Sequence, residues 1–131
     1  MGKIRFVEVH GERYAVGMGF IEELTRAYNE RHGGDFEIPE VLTECFGNVS
    51  FTAKALENMG LGVMASANYY RRANGQELVD DDYFKQLIDE NGIKWAFEIV
   101  IEIAKETNNL IMKDAEGESG KEKVGEKKSL R

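Results

Sequence analysis

Residues 3–16 read KIRFVEVHGERYAV, and this stretch decides how the chain begins to fold. Ile4, Phe6, Val7 and Val9 form a short β-prone run, and Tyr14 to Val16 resume that character after His10-Gly11-Glu12. Two such runs around a glycine-containing turn predict a β-hairpin. A hairpin alone is marginal in water, so it must pack on the rest of the chain. The next segment reads as helix. Gly17 and Gly19 break the strand pattern, and their spacing lacks the third glycine of a dinucleotide loop, so they read as a hairpin-to-helix joint. From Phe20 to about residue 31, Phe20, Ile21, Leu24, Ala27 and Tyr28 fall on one helical face. Glu22 and Glu23 are expected in its first turn, where the helix dipole favours them. Gly33-Gly34 should end it.

Pro39 suits the first turn of a second helix, with Val41, Leu42, Cys45 and Phe46 on its apolar side, interrupted at Gly47-Asn48. A longer helix is expected from about 50 to 72, with Phe51, Ala55, Leu56, Met59, Val63, Met64, Ala67 and Tyr70 inward. Gly60 and Gly62 inside it mark either a break or a close approach by another helix. Asn74-Gly75 is a turn signal. In Asp80-Asp81-Asp82, Asp81 is the expected N-cap of a helix with Tyr83, Phe84, Leu87 and Ile88 inward, closed by Gly92. The last helix is predicted from 93 to about 109. Its polar positions recur at Lys94, Glu98, Glu102 and Lys105-Glu106, and nearly everything else is apolar. Such a helix should be buried on most sides, by its own domain or by another subunit. Ile99 and Ile103 are the expected contacts of a self-association through this helix.

Residues 113–131 read KDAEGESGKEKVGEKKSLR, with Val124 and Leu130 their only sizeable apolar residues. A segment so composed cannot bury enough surface to offset its ordering entropy, so it is expected to be a disordered polar tail. Residues 1–112 then form a single globular domain of roughly 110 residues, enough for one modest core. The fold class is α+β, mainly α: a short N-terminal hairpin, four or five helices, and the tail.

The net charge is -7, and the tail, with six basic and five acidic residues, accounts for almost none of it. An acidic body is a poor nucleic-acid binder, because neutralising phosphates needs a basic face. One cysteine permits no intramolecular disulfide. No stretch has signal-peptide length or approaches the ~20 apolar residues of a membrane span, so no membrane role and a cytoplasmic location are expected.

Catalytic signatures are missing from the sequence. His10 and His32 fall in predicted turn or helix-end positions and read as surface histidines rather than bases. Cys45, on an apolar helix face, reads as a small core residue rather than a nucleophile. The three aspartates lack the glycine and distal glutamate of a calcium loop. No cofactor and no metal are expected, and the chain reads as non-enzymatic. Tyr69-Tyr70-Arg71-Arg72 is the one local cluster with binding character, since aromatics beside arginines are enriched at interfaces. Ordinary packing of Tyr70, with the arginines capping a helix end, remains the alternative.

The order of parts resembles a known family. KIRFVEVHGERYAV, then GFIEELTRAY, then a helical middle, then DDDYFKQLIDENGIKWAFEIVIEIA with two helices joined at Asn91-Gly92, and finally a polar tail, is similar to the tail assembly chaperones of long-tailed phages and prophages of Gram-positive hosts. The resemblance spans roughly residues 3–110 as architecture and carries no catalytic motif. It implies a non-enzymatic protein of the host cytoplasm, absent from the mature virion. Such a protein coats the tape-measure protein, keeps its long helices soluble, recruits tail-tube subunits and oligomerises. Tyr69, Tyr70, Tyr83 and Phe84 are the candidates for lining a groove for that partner. The resemblance also implies a longer product made by frameshifting. Glu126-Lys127-Lys128 can be written with the slippery run A-AAA-AAG, so a site is expected there. A small acidic adaptor or regulatory domain with no phage role is the alternative, separated by whether the gene lies between those for tail tube and tape measure.

Overall fold

The computed structural model describes residues 4–47 and 50–119, with side chains to residue 112. Strands β1 (Arg5–Val9) and β2 (Glu12–Val16) pair antiparallel, with Val9 opposite Glu12 and Val7 opposite Tyr14. The two-residue turn between them has φ 56° at His10 and 82° at Gly11. Positive φ at both central residues is what a type I′ turn requires, and its twist matches that of the strands. Five helices come after the hairpin: α1 (Met18–His32), α2 (Ile38–Leu42), α3 (Ala53–Ala73), α4 (Tyr83–Asn91) and α5 (Ile93–Ser119). A single π-helical turn, Thr43–Gly47, continues α2. The architecture is thus α+β and mainly α, as the pattern predicts.

Local chemistry explains most of the boundaries. Gly33 takes the left-handed conformation at the end of α1, φ 62°. Because α1 begins at Met18, Glu22 and Glu23 lie beyond its first turn rather than in it. Glu37 and Glu40 form a reciprocal capping box at α2, with Pro39 in the first turn. Thr52 caps α3 by accepting from the Ala55 amide at 3.1 Å. The α4 cap is Asp82, not Asp81, and its side chain makes no capping bond; Asp80 Oδ1 accepts from the Asp82 amide at 3.0 Å instead. Two asparagines pin the loops. Asn29 bonds both the N–H and the C=O of Phe36, and Asn68 does the same for Val79.

The central element is α3, which packs against β2, α1, the π turn, α4 and α5. Its Ala55, Met59, Leu61, Val63, Ala65 and Ala67 are buried on nearly all sides. Around it lie Tyr14, Val16, Phe20, Ile21, Leu24, Val41, Cys45, Phe84, Ile99, Val100 and Ile103. Ser66 Oγ donates to the Ala15 carbonyl at 2.7 Å, fully buried. This satisfies an acceptor on the strand edge that α3 covers. The sequence pattern points to α5 as the most enclosed helix. The structure gives that place to α3, whose small residues let its neighbours come close.

Neither glycine breaks α3, and Gly62 marks a close approach. A Cβ on Gly62 would lie 2.7 Å from the Phe46 ring, whereas one on Gly60 would sit 3.4 Å from Phe84 Cβ, at the edge of ordinary contact. Alanine gains about 1 kcal/mol of helix propensity at either site. Overpacking a buried ring costs about 1–3 kcal/mol. Gly62→Ala is therefore expected to lower the melting temperature, and Gly60→Ala to leave it unchanged or raise it. Equal effects in a thermal melt would contradict the packing described.

The last helix is longer than the pattern predicts. It continues to Ser119, ten residues past its expected end. Lys113, Asp114, Ala115 and Glu116 carry no strong breaker, so the turns already formed can propagate through them. The proposed frameshift position at 126–128 lies outside the described residues, as does Asn48.

Candidate protein-interaction surfaces

The titratable groups singled out in the sequence are held by packing. Cys45 is wholly buried, and burial pushes its thiol up to about 12, with Glu44 adding to the shift. A thiol so placed stays neutral at physiological pH and is a poor nucleophile. His10 does more than lie on the surface. Its ring stacks on Trp95 with centroids 4.4 Å apart, and its Nε2 lies 2.8 Å from Glu98 Oε1. The hairpin turn is thereby fastened to α5. His32 packs against Tyr28, with ring centroids 4.1 Å apart. Among the described residues, no three His, Cys, Asp or Glu side chains gather as metal ligands would.

The six candidate interaction residues fall into three groups. Ile99 and Ile103 have no exposed surface and belong to the core, as does Phe84 at 2%. This corrects the expectation that they meet a partner. They face α3 and the hairpin, and presenting them outward would mean opening the domain. Tyr83 is half-buried and shares a 2.9 Å hydrogen bond between its hydroxyl and that of buried Tyr14. Burial raises the pKa of both phenols, so the pair is neutral and structural. Tyr69 is half-buried beneath Gly19, where a Cβ would come within 2.9 Å of its ring. Tyr70, also half-buried, borders an open hollow.

Tyr70 belongs to a small aromatic patch. The sheet register puts Phe6 opposite Ala15 and Glu8 opposite Arg13. Their side chains share the sheet face turned toward the C-terminal end of α3. Phe6 is 64% exposed and meets Tyr70 edge-on, with centroids 5.7 Å apart and planes at 86°. Arg13 Nη1 donates to the Tyr70 hydroxyl at 3.4 Å. Phe6, Val7, Glu8, Arg13, Tyr70 and Asn74 line an open hollow of about 370 Å³. Arg71 and Arg72 lie in the last turn of α3, where their charge suits the helix end, and Asn74 is the C-cap residue. Arg71 donates to the Glu77 carbonyl and Arg72 pairs with Glu23 on α1. Alternation within β1 makes Phe6 the outward residue, a clue available in the sequence once the hairpin is fixed.

A second apolar surface runs along α5. The helix buries Ala96, Ile99, Val100, Ile103 and Thr107. Beside that face, Ile93, Phe97, Ile101 and Ile111 point outward or are only half-covered. Phe51, expected inward, is 71% exposed and stacks on Phe97 with centroids 5.3 Å apart. It precedes the α3 cap, so it escapes the phase of that helix.

No family model, curated protein or solved structure matches this chain.

Proposed function

We propose that this chain is a non-enzymatic assembly chaperone of the long-tailed phage type. It acts in the cytoplasm, holds a tape-measure protein soluble through apolar contacts, and helps bring tail-tube subunits to it. The observation that carries the reading is the Phe6–Tyr70 patch. A phenylalanine left 64% exposed on a five-residue strand, beside an open hollow, loses apolar burial that folding normally takes. An amphipathic client helix can recover that burial by laying an apolar side chain against the exposed Phe6 ring and into the hollow beside it. Arg13 and Glu8 at the rim offer either sign of charge to the client's polar face. Self-association, which keeps several copies on one long client, belongs to the same reading.

The test is retention of the neighbouring tape-measure protein, or of its heptad-rich segments, by the purified full chain. Phe6→Glu places a charge where an apolar side chain should seat, and being surface-exposed it should fold normally. Retention is expected to fall about tenfold or more for this variant, consistent with loss of a buried aromatic anchor. Unchanged retention by folded Phe6→Glu would remove the patch from the mechanism.

A further inference from the structure

The outward flank of α5 carries a pattern of its own. Phe97, Ile101, Ala104, Asn108 and Ile111 succeed one another at intervals of four, three, four and three residues. That is the alternating spacing of a coiled-coil seam. The set is distinct from the inward face, and each member is exposed or half-exposed. A single helix thus presents two apolar faces: one is filled by its own domain, and the other is only partly covered, Phe97 and Ala104 packing in part on the core and Phe97 also stacking on Phe51.

We infer that this flank is the interface with a second copy of the chain, the two α5 helices lying antiparallel. The inference rests on the self-association in the proposed function, and adds its surface and geometry. Side-chain size and charge choose the arrangement. Run antiparallel, Ile101 of each copy meets Ala104 of the other, so a large residue faces a small one in both central layers. Phe97 then meets Asn108 in the two outer layers. Run parallel, Ala104 would face itself and leave a gap. The flanking charges agree. In the antiparallel register Glu98 lies beside Lys105 of the second copy, and Lys105 beside its Glu98. In the parallel register neither has an opposite charge across the seam, because the facing positions are Ile93 and Val100. The Glu98 and Lys105 side chains are 46% and 66% exposed, so both can reach across. Their present partners do not prevent this: Glu98 offers one oxygen to His10, and Lys105 lies 3.3 Å from Glu102 one turn away. The contact is isologous, so two copies close it and no open fibre forms.

Sedimentation equilibrium on the full chain reads the result directly. The mass should rise from 14.8 kDa toward twice that value with concentration. Ile101→Glu should hold the protein monomeric with its circular dichroism spectrum unchanged. Glu98→Lys alone and Lys105→Glu alone each set like charges across both symmetric contacts. Each should weaken the dimer on the order of tenfold at low salt. Mixing the two variants restores opposite charges at both contacts, and the mixture should associate about as tightly as the native chain. A native chain that stays monomeric at high concentration overturns the inference. So does a mixture no tighter than its components, which would show another register or another surface. If the monomer instead takes up tape-measure segments through Ile101, the flank belongs to the client and the dimer is wrong. The chaperone reading would then stand, since it is tested at Phe6.

Discussion

Ile99→Glu and Ile103→Glu are expected to unfold the domain, whereas Ile101→Glu, between them, should fold. The three isoleucines stand within five residues of one helix, yet Ile99 and Ile103 have no exposed surface and Ile101 is 41% exposed. A glutamate at either inner position loses the transfer energy of an isoleucine, about 1.5–3 kcal/mol. It must also bury a carboxyl with no partner or stay protonated, which costs several kcal/mol more by desolvation. A domain of this size has roughly 5–15 kcal/mol of stability, so the loss removes most or all of it. At position 101 the carboxylate remains in water and the change should stay within about 1 kcal/mol. Circular dichroism and urea melts of the three variants read this contrast. If all three fold equally well, the phase assigned to α5 is wrong.

Phe84→Ala should cost about 3–5 kcal/mol, the usual loss for a buried phenylalanine whose site cannot collapse. Phe84 is 2% exposed, and its ring and Cβ pack on the backbone of α3 at Gly60. That contact joins α4 to the central helix, so the cavity would open at the seam that holds the two together. Collapse is resisted because α4 is also fixed by Leu87 and by the Tyr83–Tyr14 hydroxyl pair. Tyr70→Ala, by contrast, should cost about 1 kcal/mol or less, since its ring packs at an open surface. A denaturant midpoint that falls as far for Tyr70→Ala as for Phe84→Ala would show that the patch is part of the core. It would then lose its proposed role as a client surface.

These contrasts mark where the sequence was legible. The hairpin, its turn at His10-Gly11, the ends at Gly33 and Gly92 and the apolar face of α1 come from local rules, because backbone conformation and capping act over a few residues. The inward set of α5 did not. When apolar residues cover most of a helix, periodicity shows that it is buried but not which side faces its own domain. Ile99, Ile101 and Ile103 were therefore indistinguishable until α3 and the hairpin were placed. The central role of α3 was hidden for a related reason. Glycine, alanine and serine carry little hydrophobic signal, yet they allow Phe46 and the Ala15 carbonyl to approach closely. Phe51 misled because it lies just outside the Thr52 cap, where helical phase no longer applies. The patch at Phe6 depends on a cross-strand register and on the end of α3 arriving beside it, a long-range fact that no local pattern contains.

The central claim is that this chain keeps a long, apolar-striped helical client in solution. Its most direct measurement is the soluble fraction of a tape-measure protein of a long-tailed phage, expressed with and without the full chain at matched levels. The account predicts that the client moves from the pellet to the supernatant when the native chain is present, and returns to the pellet with Phe6→Glu. A client that stays insoluble beside abundant, folded native chain would contradict it.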